Sequence, residues 1–289
     1  MRSRVAIVSS FTLDSIDGRK CIGGPAYYST VALLHYCSDD ILLVGPAGRV
    51  HEVFAERVGA RLIPTSREVP LFELRYVGGG GDRVVRLARS GGEISISSRT
   101  LEGLRGSLII VSPVYREVSI PTLRGLKGAA GLLALDIQGL VRETGVNGVV
   151  RNRWDPRVYE AVKLADVVHA DLSEAPTPSD AVTAAELLSR GSRGIVMVSM
   201  GASGLVAVRS GEAVYVPALP DIEGDATGTG DILLSIAAYE LSRGEEWLTA
   251  IARGAAAAGL KVGRGRPPWF SRHEVEVLAV KLLGKLRLL

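Results

Sequence analysis

The sequence contains few of the residues that mark secreted or membrane proteins. Only two of its 289 residues are cysteines, Cys21 and Cys37, which is too few for the disulfide framework of a small secreted domain. No signal peptide is recognisable, and no apolar run reaches membrane-spanning length without a charge or a glycine. We therefore expect a cytoplasmic protein without a membrane partner.

The composition is that of a globular protein with nearly balanced charge. Hydrophobic residues make up 47% of the chain and charged residues 22%, and this length can bury a large core in one large domain or two small ones. The net charge of +3 is small for this length, which argues against nucleic acid as the main partner. Glutamine is nearly absent, asparagine is rare and arginine outnumbers lysine, as is often found in thermophile proteins.

One stretch, residues 223–241, joins a glycine-spaced acidic turn to an apolar helix. Gly228 and Gly230 allow backbone angles that other residues resist, and N–H groups at a helix start bind anions, most often phosphate. Asp231 would repel that anion unless it faces a different reacting group, as a general base does. The same residues are also ordinary helix caps. Leu233 replaces the third glycine of a dinucleotide motif, and the sequence has no P-loop.

Short apolar runs alternate with helical patterns along most of the chain. The alternation predicts an α/β fold with a mainly parallel sheet covered on both faces, in which ligands bind at the carboxyl ends of strands. Predicted strands cover 5–9, 41–44, 60–63, 108–111, 132–136, 167–170, 195–199 and 205–208, and predicted helices cover 26–36, 50–58, 156–164, 178–189, 246–262, 272–286 and the segment after 231. Residues 71–77 and 84–88 break this rhythm, because they flank four glycines at 78–81 and the first run alternates in period two. They predict a hairpin that projects from the main sheet as a small lid.

Polar residues recur where the predicted strands should end. They are Asp14, Asp136 with Gln138 and Gly139, Asp171 with Glu174, Ser199 with Gly201, and Asp231. Each one alone is more simply explained as a cap or turn residue. Their recurrence at one edge of the sheet predicts a site with acids for metal and proton chemistry, small residues for a nucleotide and an anion-binding helix start.

Four motifs, in order, resemble those of the ribokinase-like carbohydrate kinases, also called the phosphofructokinase-B family. They are GGPA at 23–26, like the family's di-glycine motif; DLSE at 171–174, like its N-x-x-E motif with Asp171 replacing asparagine; SMGASG at 199–204, like its T-x-G-x-x-G nucleotide loop; and DATGTGD at 225–231, like its D-T-x-G-x-G-D signature with Ala226 replacing threonine. The resemblance spans nearly the whole chain. It implies one domain over 1–289, a three-layer sandwich with a mainly parallel sheet and a β lid built from about 11–22 and 68–90.

Within that family the chain looks most like the archaeal myo-inositol kinases. The shared features are GGPAYYS at 23–29, FELRY at 72–76, DIQG at 136–139 followed by Arg142, and HAD at 169–171. This likeness implies a cyclitol as the acceptor of the phosphoryl group, with myo-inositol as the first candidate.

The family resemblance implies a kinase that uses ATP and Mg²⁺, and it assigns roles to residues. Asp231 would be the general base, and the turn formed by Gly228, Thr229 and Gly230 would hold the transferring phosphoryl group. The other implied roles are substrate binding by Asp14, Gly24, Tyr28, Asp136 and Gln138, nucleotide binding by Ser199, Gly201, Ala202, Gly204 and Thr227, and Mg²⁺ binding by Asp171 and Glu174. A monovalent cation is expected near Asp225 and Thr227. The lid, with Phe72, Leu74 and Tyr76 on one face, would exclude water and could form a homodimer interface.

Two alternatives to a polyol kinase stay open at this point. One is a sugar-phosphate or nucleoside kinase, since the lid arginines (Arg75, Arg83, Arg86 and Arg89) could bind an existing phosphate, although solvated strand faces explain them as well. A non-catalytic sugar- or nucleotide-binding protein on this fold is the other alternative, although it has no need of Asp231 as a base beside an anion site.

Overall fold

The computed structural model describes residues 4–16, 18–76 and 83–289, and for Arg4, Tyr76 and Arg83 it describes the backbone only. Within these ranges the strands are β1 (Arg4–Ser9), β2 (Thr12–Ile16), β3 (Arg19–Gly23), β4 (Asp40–Gly45), β5 (Arg61–Pro64), β6 (Leu71–Tyr76), β7 (Arg83–Arg89), β8 (Leu108–Ser112), β9 (Leu132–Asp136), β10 (Arg142–Thr144), β11 (Val150–Asn152), β12 (Val167–Asp171), β13 (Ile195–Ser199), β14 (Leu205–Arg209), β15 (Glu212–Val216) and β16 (Arg287–Leu288). The helices are α1 (Pro25–Tyr36), α2 (Arg49–Arg57), α3 (Ser98–Gly103), α4 (Ile120–Ala129), α5 (Gln138–Val141), α6 (Val158–Leu164), α7 (Ala181–Ser189), α8 (Thr229–Ser242), α9 (Trp247–Val262) and α10 (Arg272–Leu283).

Ten strands form the central sheet, in the order β16-β15-β14-β13-β12-β9-β8-β1-β4-β5. The strands from β5 to β13 pair in parallel, and β13 to β16 pair antiparallel at one edge. Strands of one half of the sheet precede residue 137, and strands of the other half follow residue 166. The two halves meet only at β9 and β12, through a ladder of three residue pairs that ends with Asp136 opposite His169.

Both faces of the sheet are buried, because the interior strands consist of short runs of valine, isoleucine, leucine and alanine. Val5 and Ile7 of β1 face one apolar core, which α1, α2, α8, α9 and α10 cover. Ala6 and Val8 face a second core, which α4, α6 and α7 cover. The predicted α/β fold with a mainly parallel sheet between helices is therefore confirmed.

A second, four-stranded sheet has the order β3-β2-β6-β7, with β2 parallel to β6. It unites the two segments predicted to build the lid. Phe72 and Leu74 of β6 bury their side chains against Val114. The side chain of Tyr76 and the glycine tip at 78–81 lie outside the described residues, and closure of this sheet as a lid stays a prediction.

Some elements differ from the sequence-based expectation. Asp14 lies within β2 of the small sheet rather than in a loop after β1. The helices α3 and α4 were not predicted, because α3 has only about one and a half helical turns and α4 carries Pro121, Gly125 and Gly128.

No helix within 4–16, 18–76 and 83–289 is both long and apolar enough to cross a membrane.

Candidate active site

A chain of hydrogen-bonded side chains crosses three neighbouring strands at their carboxyl ends. Oδ2 of Asp136 on β9 lies 2.7 Å from Nδ1 of His169 on β12, and Nε2 of His169 lies 3.1 Å from Oγ of Ser199 on β13. Oδ1 of Asp136 accepts the N–H of Gln138 at 2.7 Å. Burial alone would lower the pKa of His169, but the adjacent Asp136 carboxylate outweighs it and the pKa is raised. Both carboxylate oxygens of Asp136 thus already accept hydrogen bonds or contacts inside the protein. A substrate hydroxyl that binds Asp136, as predicted, would have to share these oxygens with Gln138 and His169.

Asp231 lies in the first turn of α8, next to the end of β8. Its Oδ1 accepts a hydrogen bond of 2.9 Å from Oγ of Ser112, the last residue of β8. Burial, and then the negative charge of Asp136, raise the pKa of Asp231 to about 7, although Ser112, His169 and Arg142 act to lower it. A carboxylate that ionises near neutral pH is suited to general-base chemistry.

The loop before α8 is shaped by two close approaches. Gly228 has a φ of +79° and offers no side chain to cap the helix, and a Cβ on it would lie 2.2 Å from the ring of Tyr28. A Cβ on Gly230 would lie 2.6 Å from Cε1 of His169. The N–H of Thr229 already donates to the carbonyl of Ala226 at 3.2 Å. The first-turn N–H groups of Gly230 and Asp231 are therefore the better placed of the predicted anion donors.

The acidic start of this loop is bound to α9. Oδ1 of Asp225 accepts both the N–H and the hydroxyl of Thr227, at 2.9 and 2.6 Å. The Nζ atom of Lys261 donates to the carbonyl oxygen of Asp225 at 2.7 Å and to its Oδ2 at 3.0 Å, and it lies 5.6 Å from the centre of the Tyr28 ring. Burial works to raise the pKa of Asp225, but Thr227 and Lys261 outweigh it, so that the pKa is lowered.

Two of the predicted acceptor residues, Asp14 and Gly24, lie near Tyr28. Gly23 leaves room for the Asp14 carboxylate, because a Cβ on Gly23 would lie 2.1 Å from Oδ2 of Asp14. Gly24 has a φ of +83°, which favours glycine. Burial, followed by the charges of Asp225, Asp14 and Asp231, raises the pKa of Tyr28 well above its usual value. Tyr28 thus lies within electrostatic range of the acid of the small sheet and both acids of the 225–231 loop.

The two predicted metal ligands share a turn after β12. The N–H of Asp171 donates to Oε2 of Glu174 at 3.0 Å, and Oδ1 of Asp171 accepts from the N–H and hydroxyl of Ser173. Burial, and next the charge of Asp136, raise the pKa of Glu174 to about 7, against the opposing effect of Arg142. Within the part of the chain that the structure describes, no three acidic, histidine or cysteine side chains form a ready-made metal site.

The predicted nucleotide loop is a short 3₁₀ turn between β13 and β14. Gly201 and Gly204 have φ values of +56° and +84°, and a Cβ on Gly204 would lie 2.3 Å from the carbonyl oxygen of Val216. Gly201 and Ala202 are exposed, whereas Ser199 is partly buried against His169. The side chain of Ser199 connects this loop, through His169, to Asp136.

The sequence-based reasoning missed three residues at this site. Ser112 obeys the same rule as the predicted residues, a polar side chain where a strand ends, and could have been found that way. His169 has no metal-ligand spacing to other histidines, and in the sequence it stands out only as part of the HAD segment at 169–171. Lys261 occupies an ordinary helical position, and nothing local in the sequence shows that it reaches Asp225.

A comparison with protein families gives a match to the pfkB family carbohydrate kinases over residues 138–267. The matched residues make up a little under half of the chain. The match includes Ser199–Gly204, the 225–231 loop and Lys261, whereas Asp14, Gly24 and Tyr28 lie before it.

Two curated relatives match a shorter part of the chain. The bifunctional protein HldE of Bradyrhizobium diazoefficiens is 35% identical over 101 residues, which is 34% of this chain and 20% of that protein. HldE of Rhodopseudomonas palustris (strain BisB5) is 32% identical over 101 residues, which is 34% of this chain and 21% of that protein. These matched segments span only about a fifth of the curated relatives.

Solved structures of ribokinase-family proteins share the fold over nearly the whole chain. A pyrophosphate-dependent kinase in the ribokinase family, complexed with a pyrophosphate analogue and myo-inositol, superposes with a TM-score of 0.75 at 18% identity, covering 94% of this chain and 99% of that one. Ribokinase from Thermotoga maritima gives 0.72 at 18% identity, covering 97% and 100%. Phosphofructokinase-2 from Escherichia coli, in complex with potassium, gives 0.68 at 16% identity, covering 98% and 100%.

Proposed function

We propose that this protein transfers a phosphoryl group to a hydroxyl of an uncharged ring polyol, with Asp231 as the general base. The observation that carries the proposal is the Asp231 carboxylate in the first turn of α8, beside backbone N–H groups suited to phosphate and with a pKa of about 7. A protein that only binds a sugar or a nucleotide has no use for this combination.

In this reaction the chain contributes alignment and charge more than covalent chemistry. Ser112 fixes the Asp231 carboxylate by Oδ1. Asp231 takes the proton of the acceptor hydroxyl as its oxygen attacks the γ-phosphorus of the ATP donor, and the bond from that phosphorus to the bridging oxygen breaks, so that ADP leaves. The N–H groups of Gly230 and Asp231 hold the phosphoryl oxygens, with Gly228 and Thr229 shaping the turn. Ser199, Gly201, Ala202, Gly204 and Thr227 are assigned to the nucleotide. ATP is the proposed phosphoryl donor. Pyrophosphate is the alternative donor to test beside it, because a structural relative is pyrophosphate-dependent.

The acids at this site suit Mg²⁺, which prefers waters, phosphate oxygens and one or two carboxylates. Asp136, Asp171 and the buried Glu174 bring several negative charges together, and Arg142 is the cation that acts on Glu174. We assign Asp171 and Glu174 to hold the hydrated ion. When bound, Mg²⁺ would neutralise phosphate charge.

A monovalent cation fits the 225–231 loop less well. The carbonyl oxygen and Oδ2 of Asp225 already accept from the ammonium of Lys261. A second positive charge on the same two oxygens would be strongly repelled. No step of the proposed reaction uses such a cation.

Two of the four lid arginines, Arg86 and Arg89, are held by other groups, which supports an uncharged acceptor over a sugar phosphate. The guanidinium of Arg86 binds Glu73 at 2.8 Å and the carbonyl of Asn147 at 2.6 Å. Arg89 donates twice to the carbonyl of Val69. Because these two guanidinium groups tie the small sheet to itself and to its surroundings, they are poorly placed to serve as a phosphate-binding pair. The side chain of Arg83 is outside the described residues.

The acceptor is expected to be myo-inositol or a similar ring of hydroxyls. Asp14 accepts hydrogen bonds, Gln138 both donates and accepts, and Tyr28 offers a flat ring against C–H groups. We also assign Gly24 and Asp136 to this pocket. Measured with ATP and Mg²⁺, kcat/KM for myo-inositol should exceed that for ribose, fructose, fructose 6-phosphate, cytidine and adenosine. A phosphorylated sugar or nucleoside that wins by more than about tenfold, roughly 1.4 kcal/mol in transition-state binding, would contradict the polyol assignment but keep the kinase.

The rate should depend on pH through Asp231. A general base must be ionised, and with a pKa of about 7 Asp231 gains its charge as pH rises through neutrality. The value of kcat/KM should therefore fall about tenfold per pH unit below pH 7 and level off above it. Initial rates between pH 5 and 9 would measure this.

Glu174 has a similar pKa and provides the control for that experiment. The Glu174→Gln variant should have a lower rate at every pH. It should keep the acid limb of the profile, which is the fall in kcat/KM below pH 7, because Asp231 still titrates. If the limb disappears in Glu174→Gln, Asp231 is not the group that controls it. Homodimerisation through the small sheet and a cytoplasmic location stay predictions.

A further inference from the structure

The ammonium group of Lys261 is held at the signature loop and away from solvent. The residue is 2% exposed, and it lies in the last turn of α9. Lysine is almost never this buried unless its charge is paired. Its pairing is to the carbonyl oxygen and Oδ2 of Asp225 at 2.7 and 3.0 Å, with the Tyr28 ring 5.6 Å from Nζ. One charged group thus contacts both the backbone and the side chain of the first residue of the loop.

The oxygens that Lys261 contacts are the type that binds alkali cations. A backbone carbonyl and a carboxylate are hard oxygen donors, and hard cations prefer such ligands. An ammonium is a compact point charge with three donor hydrogens, and it satisfies the same oxygens at hydrogen-bond distance. The sequence resemblance implied a monovalent cation near Asp225 and Thr227, and the chain places a lysine there.

The contact also ties the loop to α9 just before the catalytic turn. The other carboxylate oxygen of Asp225 accepts from Thr227, and Gly228 and Asp231 follow within four residues. On the other side, a Cβ on Gly224 would lie 2.0 Å from the carbonyl oxygen of Val262, the residue after Lys261. The loop and the end of α9 are therefore in direct contact at two consecutive positions.

We propose that Lys261 permanently supplies the positive charge that a monovalent cation would bring to the 225–231 loop, so that the loop is ordered without K⁺ or Na⁺. This inference concerns cation binding and loop order, and its stability readout is independent of whether the proposed function is correct. A failure of the kinase assay would thus leave this test intact.

The first test uses the wild-type protein in KCl, NaCl or choline chloride at equal ionic strength. The Tm should be the same within about 1 °C in the three salts, because no site selects K⁺ by mass action. If the protein phosphorylates a polyol, its KM for the donor should also be unchanged. A saturable rise of Tm or of rate that is specific to K⁺ would overturn the proposal.

The second test compares two substitutions of Lys261 that differ in the space they leave. Lys261→Ala should lower Tm in choline chloride by about 5 °C or more, since Asp225 loses its buried partner. KCl or methylammonium chloride should restore at least half of that loss, because the truncated side chain leaves room for a cation. Lys261→Met should lose stability without recovery, because its side chain fills the space without a charge.

Lys127→Ala is the matched control, because Lys127 pairs with Asp166 at 2.6 Å on the surface. Its Tm should change by less than about 2 °C, and K⁺ should have no selective effect on it. If Lys261→Ala is as stable as wild type, or if K⁺ stabilises Lys261→Ala and Lys261→Met equally, the proposal is wrong. If Lys261→Ala does not fold, the salt series on wild type and Lys261→Met still decides it.

Discussion

The Asp231→Asn variant is expected to lose about 10²- to 10⁴-fold in kcat while folding normally, which is the usual cost of removing a general base. Asparagine has the same shape and can still bond to Ser112, so the start of α8 should not move. Because burial raises the pKa of Asp231, its ionised form lowers the stability of the folded state above pH 7. The Tm of the variant at pH 8 should therefore equal or exceed that of wild type. Steady-state rates at saturating substrates and thermal unfolding measure the two effects.

Ser112→Ala is the control that perturbs the same carboxylate without removing it. The hydrogen bond from Ser112 lowers the pKa of Asp231, so its loss should move the acid limb of the rate profile to higher pH. The rate lost should be much smaller than in Asp231→Asn. An Asp231→Asn enzyme with near-wild-type kcat would remove Asp231 from the mechanism.

The Gly230→Ala variant is expected to lose at least about 10²-fold in kcat/KM, because small displacements of aligned groups can cost this much. The added Cβ would lie 2.6 Å from Cε1 of His169. His169 cannot retreat cheaply, since Asp136 and Ser199 hold both of its ring nitrogens. The first turn of α8 must therefore shift, and with it the N–H groups assigned to the phosphoryl oxygens. Kinetics with both substrates varied, together with circular dichroism, would measure the loss and the fold.

Gly128→Ala provides the comparison for this variant. Gly128 lies in α4, and a Cβ there meets no atom within 4 Å. Alanine should stabilise that helix by up to about 1 kcal/mol and leave the kinetics unchanged. If Gly230→Ala behaves like Gly128→Ala, the close packing of the loop on His169 has no part in the reaction.

Most strands of the main sheet were predictable because their signals are local. Runs such as Leu132–Asp136 and Ile195–Ser199 are short and apolar and end in a polar residue, and each forms the expected strand. The strands Thr12–Ile16 and Arg19–Gly23 were not recognisable in the sequence, because their residues are mixed in character and most of them are only partly buried or exposed. The pairing of Thr12–Ile16 with Leu71–Tyr76 depends on a partner nearly 60 residues away.

The site was predictable where a residue type and its position in an element suffice. Asp231 at a helix start and Ser199 at a strand end are of this kind. The roles of His169 and Lys261 depend on contacts across the fold, to Asp136 on the neighbouring strand and to Asp225 from the far end of α9. No periodicity or spacing in the sequence encodes those distances.

The pairing of β9 with β12 has a consequence for any attempt to divide this protein into fragments. Asp136 and His169 face each other there from opposite halves of the chain, and α8 packs across β8, β9 and β12. Ser112 and Asp231, which share a hydrogen bond, also come from opposite halves. The site is thus indivisible. A fragment with the whole family-matched region, 138–267, would contain the proposed base and phosphate turn. It would lack Ser112, which donates a hydrogen bond to that base, and strand β9, which carries Asp136.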